Sequence, residues 1–233
     1  MIHCISVENM RESDAYTIAN LVPSLELMYR AAWGIYKASS WRGKTAIVVG
    51  SGNNGGDGFA LSCILRSKGY DCTVFTVSDR FSPDSAHFSA KAEELGVPIV
   101  PFVPDHLDGF DRIVDCLLGT GFQGMVRGDY RIAIEAINAS NAFVISVDIN
   151  SGMNGDTAEA ELAVQSDLTV TIGYVKTGLV SPNAGKFMKR LVCADIGIEL
   201  IREEGHIGED SCGIPCPAWL DVEPIICREP YFC

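Results

Sequence analysis

The chain has 233 residues, 47% hydrophobic and 21% charged, with a formal net charge of −12. That length suits one α/β domain, or a domain plus an extension, and is enough to bury a sizeable core. The acidic balance argues against nucleic acid as a partner, since phosphate neutralisation needs clustered Lys and Arg, yet it allows a small anion held by backbone N–H groups.

The opening "MIHCISVENM" has no basic stretch followed by an apolar one, so no signal peptide is expected. No apolar run is long enough to span a bilayer. Five of the nine cysteines, Cys4, Cys63, Cys72, Cys116 and Cys193, sit in or near apolar stretches and read as small buried hydrophobes. The default setting is reducing and cytoplasmic, or an organelle. Residues 6–38 are helical in pattern. Ser6 with Asn9 gives a weak capping signal, Pro23 interrupts, and Ser24 is the expected cap of the restart. Leu27, Met28, Ala31, Ala32 and Ile35 form an apolar stripe, suited to packing on a sheet or a second subunit.

From Lys44 onward the chain alternates. "TAIVVG" is a buried strand, 56–68 a helix, "DCTVFTV" a strand, 84–95 a helix and "VPIVPFV" a short strand. "RIVDCLL" is a strand, 129–140 a helix, and "FVISVDI", "DLTVTI" and "RLVCADI" are further strands. Strands separated by helices predict βαβ units and a mostly parallel sheet. Such a sheet is covered on both faces, which accounts for strands that are apolar throughout.

"VVGSGNNGGDGFAL" (48–61) then stands at a strand's carboxyl end and opens a helix. Gly50, Gly52 and Gly55 fit G-x-G-x-x-G, and Asp79, after the next strand, can play the ribose-binding acid. Asn53, Asn54 and Asp57 complicate a plain dinucleotide loop, because a phosphate cradle needs N–H groups rather than amides and a carboxylate. The loop suits a polar ligand together with something cationic. Two further strand ends repeat the chemistry: Asp115 followed by Gly119, Gly121 and Gly124, and Asp148 followed by Asn150, Ser151 and Gly152. Three Gly-rich, Asp-bearing segments at one sheet edge predict a shared site. His3, His87, His106 and His206 fall outside these motifs and read as surface or packing residues.

"GSGNNGGDGFA", "DCLLGTGFQG", "VDINSGMNGDTA" and "TIGYVKTGLVSPNAGKF" together resemble the NAD(P)H-hydrate epimerase family, the YjeF N-terminal domain, over residues 6–198. The resemblance implies a three-layer α/β/α Rossmann-like sandwich spanning 1–200, commonly a homodimer. It implies epimerisation at C6 of R and S hydrates of NADH and NADPH (NADHX and NADPHX), feeding a separate ATP- or ADP-dependent dehydratase. The chain is too short to hold that second domain, so a stand-alone epimerase is expected. The ligand residues it implies are Asn53, Asn54, Gly55, Gly56 and Asp57; Gly119, Thr120, Gly121, Phe122, Gln123, Gly124 and Met125; and Tyr130 and Asp148. Asp148 is the implied acid–base group. Asn54, Asp115 and Ser151 match positions that hold a potassium ion, one per subunit, and their oxygen chemistry suits that ion better than zinc. Against the family pattern, Tyr29 replaces a Glu in the first helical region, which bears on the dimer, and Asn150 stands where Pro is common.

The tail, 201–233, is rich in Cys, Pro and acid and has no counterpart in the resemblance. Cys212, Cys216, Cys227 and Cys233 lack a paired C-x-x-C, so an irregular extension packing Trp219 and Phe232 on the domain is expected over a zinc site. A non-catalytic binding module is the rival function, and retention of Asn54, Asp57, Asp115 and Asp148 argues against it. An ordinary NAD(P) dehydrogenase would need a catalytic acid and a substrate domain, neither of which is visible.

Overall fold

A computed structural model describes residues 2–208, 214–221 and 223–229. The chain opens with strand β1 (Ile2–Ile5) and helices α1 (Val7–Asn20) and α2 (Ser24–Ala38). Ser6 caps α1 by accepting a hydrogen bond from Asn9 N (3.2 Å). At α2 the cap position is Pro23 rather than Ser24, whose side chain makes no cap bond; the Pro23 carbonyl accepts from Glu26 N and Leu27 N. Proline pre-sets the extended entry, so the helix starts one residue earlier than expected.

Six βα-type strands follow: β2 (Lys44–Val49), β3 (Asp71–Thr76), β4 (Ile99–Pro101), β5 (Arg112–Cys116), β6 (Phe143–Val147) and β7 (Leu168–Ile172). Between them lie α3 (Asn53–Ser67), α4 (Pro83–Glu94) and α5 (Gly128–Ala139). The short β8 (Val175–Lys176), then β9 (Leu191–Asp195), β10 (Gly205–Ile207) and β11 (Ile225–Ile226), complete the described chain.

The main sheet has eight strands in the order β11-β9-β7-β6-β5-β2-β3-β4, and every pairing in it is parallel. Both faces are covered, giving the three-layer α/β/α sandwich. Ile47 and Val49 of β2 enter the core beneath α1 to α4, whereas Ala46 and Val48 enter the core beneath α5. The alternation is apolar on both sides, hence the unbroken apolar strands. The α2 stripe is committed to this chain's own interior: Leu27, Met28, Ala31, Ala32 and Ile35 are all buried. Gly34 lets α2 approach β9 closely, since a Cβ there would fall 2.5 Å from the Ala194 Cβ.

A second, three-stranded sheet, β10-β1-β8, was not legible beforehand. β1 pairs parallel with β8 and antiparallel with β10, where Ile2 faces Ile207, so strands from opposite ends of the described chain meet. The tail past residue 200 therefore contributes strands to both sheets. Trp219 packs over Gly185 and donates to the Leu179 carbonyl (3.0 Å), the docking expected of it. Cys216 is exposed and Cys227 is buried, while Cys212, Phe232 and Cys233 lie outside the described residues. The five interior cysteines are buried as read; burial pushes the thiols of Cys4, Cys72 and Cys193 up to about 12 and that of Cys63 to about 11. Among the described residues no helix is long and apolar enough to cross a membrane.

Gly34→Val should lower stability by roughly 2–3 kcal/mol in urea unfolding, because the helix cannot withdraw from β9 without opening the core. Adding Ala194→Gly should return part of the loss; an unchanged midpoint in the single variant would contradict this packing.

Candidate active site

The order of the main sheet reverses at β2: β3 and β4 lie to one side of it, β5, β6 and β7 to the other. Ligands in open parallel sheets sit outside the carboxyl ends at such a switch point. Here that position is a cleft of about 710 Å³. Its walls include the tips of β2, β5 and β6 and the α1–α2 region.

Of the residues singled out in sequence, Asn53, Asn54, Asp57, Gly119, Thr120, Gly121, Phe122, Gln123 and Asp148 line this cleft. A Cβ on Gly119 would lie 3.4 Å from both the Asn54 Cβ and Asp148 Oδ2, so the loop after β5 lies beside the first turn of α3 and the carboxylate beyond β6. Gly55, Gly56, Gly124, Met125 and Tyr130 do not line it. Gly50 and Gly55 are required by the protein itself. A Cβ on Gly50 would strike the Leu117 carbonyl oxygen at 2.1 Å, and one on Gly55 the Gly50 carbonyl oxygen at 2.3 Å. Gly56 packs against Met28. Met125 is exposed. Tyr130 braces the glycine loop from the far side, its hydroxyl accepting from Ser51 N (3.1 Å). No side chain caps α3 at Gly52, whose Cβ position has open space around it, so the first N–H groups of that helix are free to meet a ligand.

Asp115 lies one layer below, fully buried on the α5 face. Its Oδ1 accepts from Ser151 Oγ (2.5 Å) and Leu117 N (3.3 Å), and its Oδ2 from Ser146 Oγ (2.8 Å) and Ser151 N (3.0 Å). Burial raises its carboxyl above the ordinary range, and these hydrogen bonds oppose the rise. Ser151 Oγ also accepts from Leu118 N (2.9 Å), and the Leu118 carbonyl accepts from Asn54 Nδ2 (3.0 Å). Asn54, Asp115 and Ser151 thus converge on the Leu118 segment. The Asn54 Oδ1 is buried without a partner. Among the described residues no group of three or more His, Cys, Asp or Glu is placed to hold a metal ion.

Two residues that sequence reasoning missed complete the site. Lys176 is 1% exposed, and its Nζ donates to Asp148 Oδ1 (2.5 Å), Thr171 Oγ1 (3.1 Å) and the Ile172 carbonyl (2.7 Å). Asp14, from α1, faces the same cleft. Lys176 lay inside a quoted motif, and a lone lysine between Gly173 and Gly178 directly after an apolar strand was the available signal. Asp14 gave none, being one acid among several on a polar helix. Asp148 itself has φ +67°, with Ile149 N donating to the Val147 carbonyl (2.9 Å): a γ-turn, uncommon for a residue with a side chain, that turns the carboxylate off the strand. Asn150, which stands where the family commonly has Pro, holds this turn down. Its Nδ2 lies within 3.0 Å of the Val164 and Phe187 carbonyls and Ser166 Oγ, and its Oδ1 accepts from Thr169 Oγ1 (2.7 Å).

Residues 24–178 match the family model described as YjeF-related protein N-terminus. The chain belongs to this YjeF N-terminal family. Among curated proteins, it is 36% identical over 202 residues to the NAD(P)H-hydrate epimerase of Limosilactobacillus fermentum, covering 82% of this chain and 95% of that one. It is 37% identical over 203 residues to the NAD(P)H-hydrate epimerase of Oenococcus oeni, covering 83% and 96%. A bifunctional NAD(P)H-hydrate repair enzyme of Archaeoglobus fulgidus matches at 35% over 159 residues, 68% of this chain and 32% of that one. The crystal structure of yeast ynu0 shares the fold, with a TM-score of 0.75 at 18% identity over 93% of this chain and all of that one. As a YjeF N-terminal protein with these relatives, the chain is an enzyme of the isomerase class.

Asp57 shows what the YjeF N-terminal cleft does to a carboxyl. Burial chiefly, then the charges of Asp148 and Asp14, push it well above the ordinary value of 3.8, with Lys176 pulling the other way. For Asp14, burial raises the carboxyl, Lys176 lowers it and Asp148 raises it. The folded chain therefore keeps the Asp57 proton at pH values where the unfolded chain has released it, so stability falls as pH climbs from about 4 towards the native value. Asp57→Asn should melt about 2 °C or more above the wild type at pH 8, with the gap closing near pH 4. Lys176→Met should cost about 3 kcal/mol or more in denaturant unfolding by stranding the Asp148 charge. The double variant Lys176→Met/Asp148→Asn should lose less than the two single losses combined.

Proposed function

We propose that this enzyme is a cofactor-repair epimerase that interconverts the R and S hydrates of NADH and NADPH at C6. The observation that most supports the reading is the meeting of Asn54, Gly119 and Asp148 in one cleft, with Lys176 holding Asp148. The uncapped α3 N-terminus and the open glycines Gly52 and Gly121 suit the phosphates, and Asp148, Asp57 and Asp14 surround the position of the ring.

In the chemistry this supports, the C6–O bond breaks with its electron pair leaving on oxygen, which takes a proton from a cleft carboxyl. The ring nitrogen lone pair forms the C=N bond of an iminium cation. The Asp148 carboxylate stabilises that charge electrostatically. Asp57, the cleft acid whose proton is held to higher pH, is suited to supply the proton and recover it. Water then adds to either face of C6, returning the proton and giving both epimers. Lys176 orients Asp148 and turns its Oδ2 towards Gly119.

Potassium fits the layer beneath. The unpartnered Asn54 Oδ1, the Asp115 carboxylate and the Ser151 hydroxyl form an all-oxygen donor set of one formal charge, suited to a hard monovalent cation. Bound there, the ion would supply a fixed positive charge under the phosphate-binding segments. The reading includes a homodimer, testable by light scattering, and a separate ATP- or ADP-dependent dehydratase as the next enzyme.

Proton NMR of mixed R and S hydrates should show rapid equilibration by the purified protein. Asp148→Asn should slow it about a hundredfold or more with binding nearly unchanged; full activity in that variant would overturn the assignment. Exchanging potassium for tetramethylammonium should lower the rate, and restoring potassium should recover it.

A further inference from the structure

A second cavity, of about 580 Å³, opens at the carboxyl ends of β3 and β4, across the glycine loop from the cleft. Asp79, Phe102, Val103, Asp129, Tyr130 and Ile132 are among its walls. Val103 is 44% and Ile132 45% exposed, so the cavity presents large apolar side chains to water, with two carboxylates beside them. The two hollows share one partition. Ser51 lines the cleft, Tyr130 lines the second cavity, and the Tyr130 hydroxyl is bonded to Ser51 N (3.1 Å) and lies 3.3 Å from Ser51 Oγ.

We infer that the second cavity takes the adenosine half of the dinucleotide whose hydrated nicotinamide occupies the cleft, and that Asp79 and Asp129 make the enzyme prefer NADHX to NADPHX. The inference rests on the epimerase reading for the nature of the ligand, and on this chain's topology for its placement. With β3 on one side of β2 and β5 and β6 on the other, a ligand crossing the loop spans three strand spacings, about 14 Å. An extended dinucleotide bridges that span with its pyrophosphate over the α3 N-terminus. The adenine is a flat apolar plate and lies against Val103, Ile132 and Phe102. The ribose hydroxyls donate to Asp79, which stands just past the end of β3. A 2′-phosphate in the same place would face two carboxylates and offer them no proton to accept. Arg80 follows Asp79 in the chain but is not part of the cavity wall.

The test uses ADP-ribose and 2′-phospho-ADP-ribose as probes in calorimetry, alongside kcat/KM for the two hydrates. The wild type should bind ADP-ribose at least about tenfold more tightly and favour NADHX by a similar factor. Asp79→Asn should bring the two probes within about threefold, Ile132→Asp should weaken both, and Arg80→Ala should leave the ratio unchanged. Asp79 and Ile132 are surface residues, and thermal melts check that their variants fold. Equal affinity for the probes in the wild type, or a ratio untouched by Asp79→Asn, overturns the inference. Equal turnover of both hydrates would overturn it while leaving the epimerase reading intact. Asp79-dependent ADP-ribose binding with neither hydrate equilibrated would do the reverse.

Discussion

The site depends on the Asp115 carboxylate, sealed under the sheet edge and met by four donors from three segments: Ser146 on β6, Ser151 in the turn beyond it, and Leu117 beyond β5. A buried charge without partners would be driven out or neutralised. With four, it acts as a clamp that fixes the spacing of two strand tips. Ser151 passes the restraint to Leu118 N, and the Leu118 carbonyl passes it to Asn54 on α3. The cleft above therefore rests on a hydrogen-bond network beneath it.

On that base the cleft concentrates negative charge. Asp14, Asp57 and Asp148 share it with Lys176, whose ammonium group already has three acceptors. Burial first, and then the charge of the neighbouring acids that this one cation does not cancel, makes Asp57 and Asp14 hold their protons more tightly than in water. Such a pocket favours positive charge in whatever occupies it. The left-handed backbone at Asp148 belongs to the same design: it turns a strand-end carboxylate into the cleft, and Asn150 anchors the turn that carries it.

The glycines divide by cause. Gly50, Gly55 and Gly56 are small because other parts of the chain press against them. Gly52 and Gly121 face open space or only a distant arginine tip, and these expose backbone to the cleft. Sequence alone presents one glycine-rich string and cannot separate the two groups, because the distinction lies in how the loop folds on itself, Gly55 against Gly50, and in contacts of Gly50 with Leu117 and Gly56 with Met28, far away in the chain.

Local pattern determined much of this protein. β-branched runs and helical spacing set most of the parallel strands and all five helices to within a few residues, since each depends on propensity and on burial of its own face. The residue types at the three Gly-rich strand ends likewise announced a shared polar site. Tertiary structure decided what depends on distant partners. β1, β8 and β10 are two to four residues long and exist through pairing with one another, which no local period encodes. Asp14 and Lys176 became part of the site because α1 and β8 are brought against the cleft. Their chemistry comes from the desolvation and neighbouring charge they meet there, and those are properties of the folded chain.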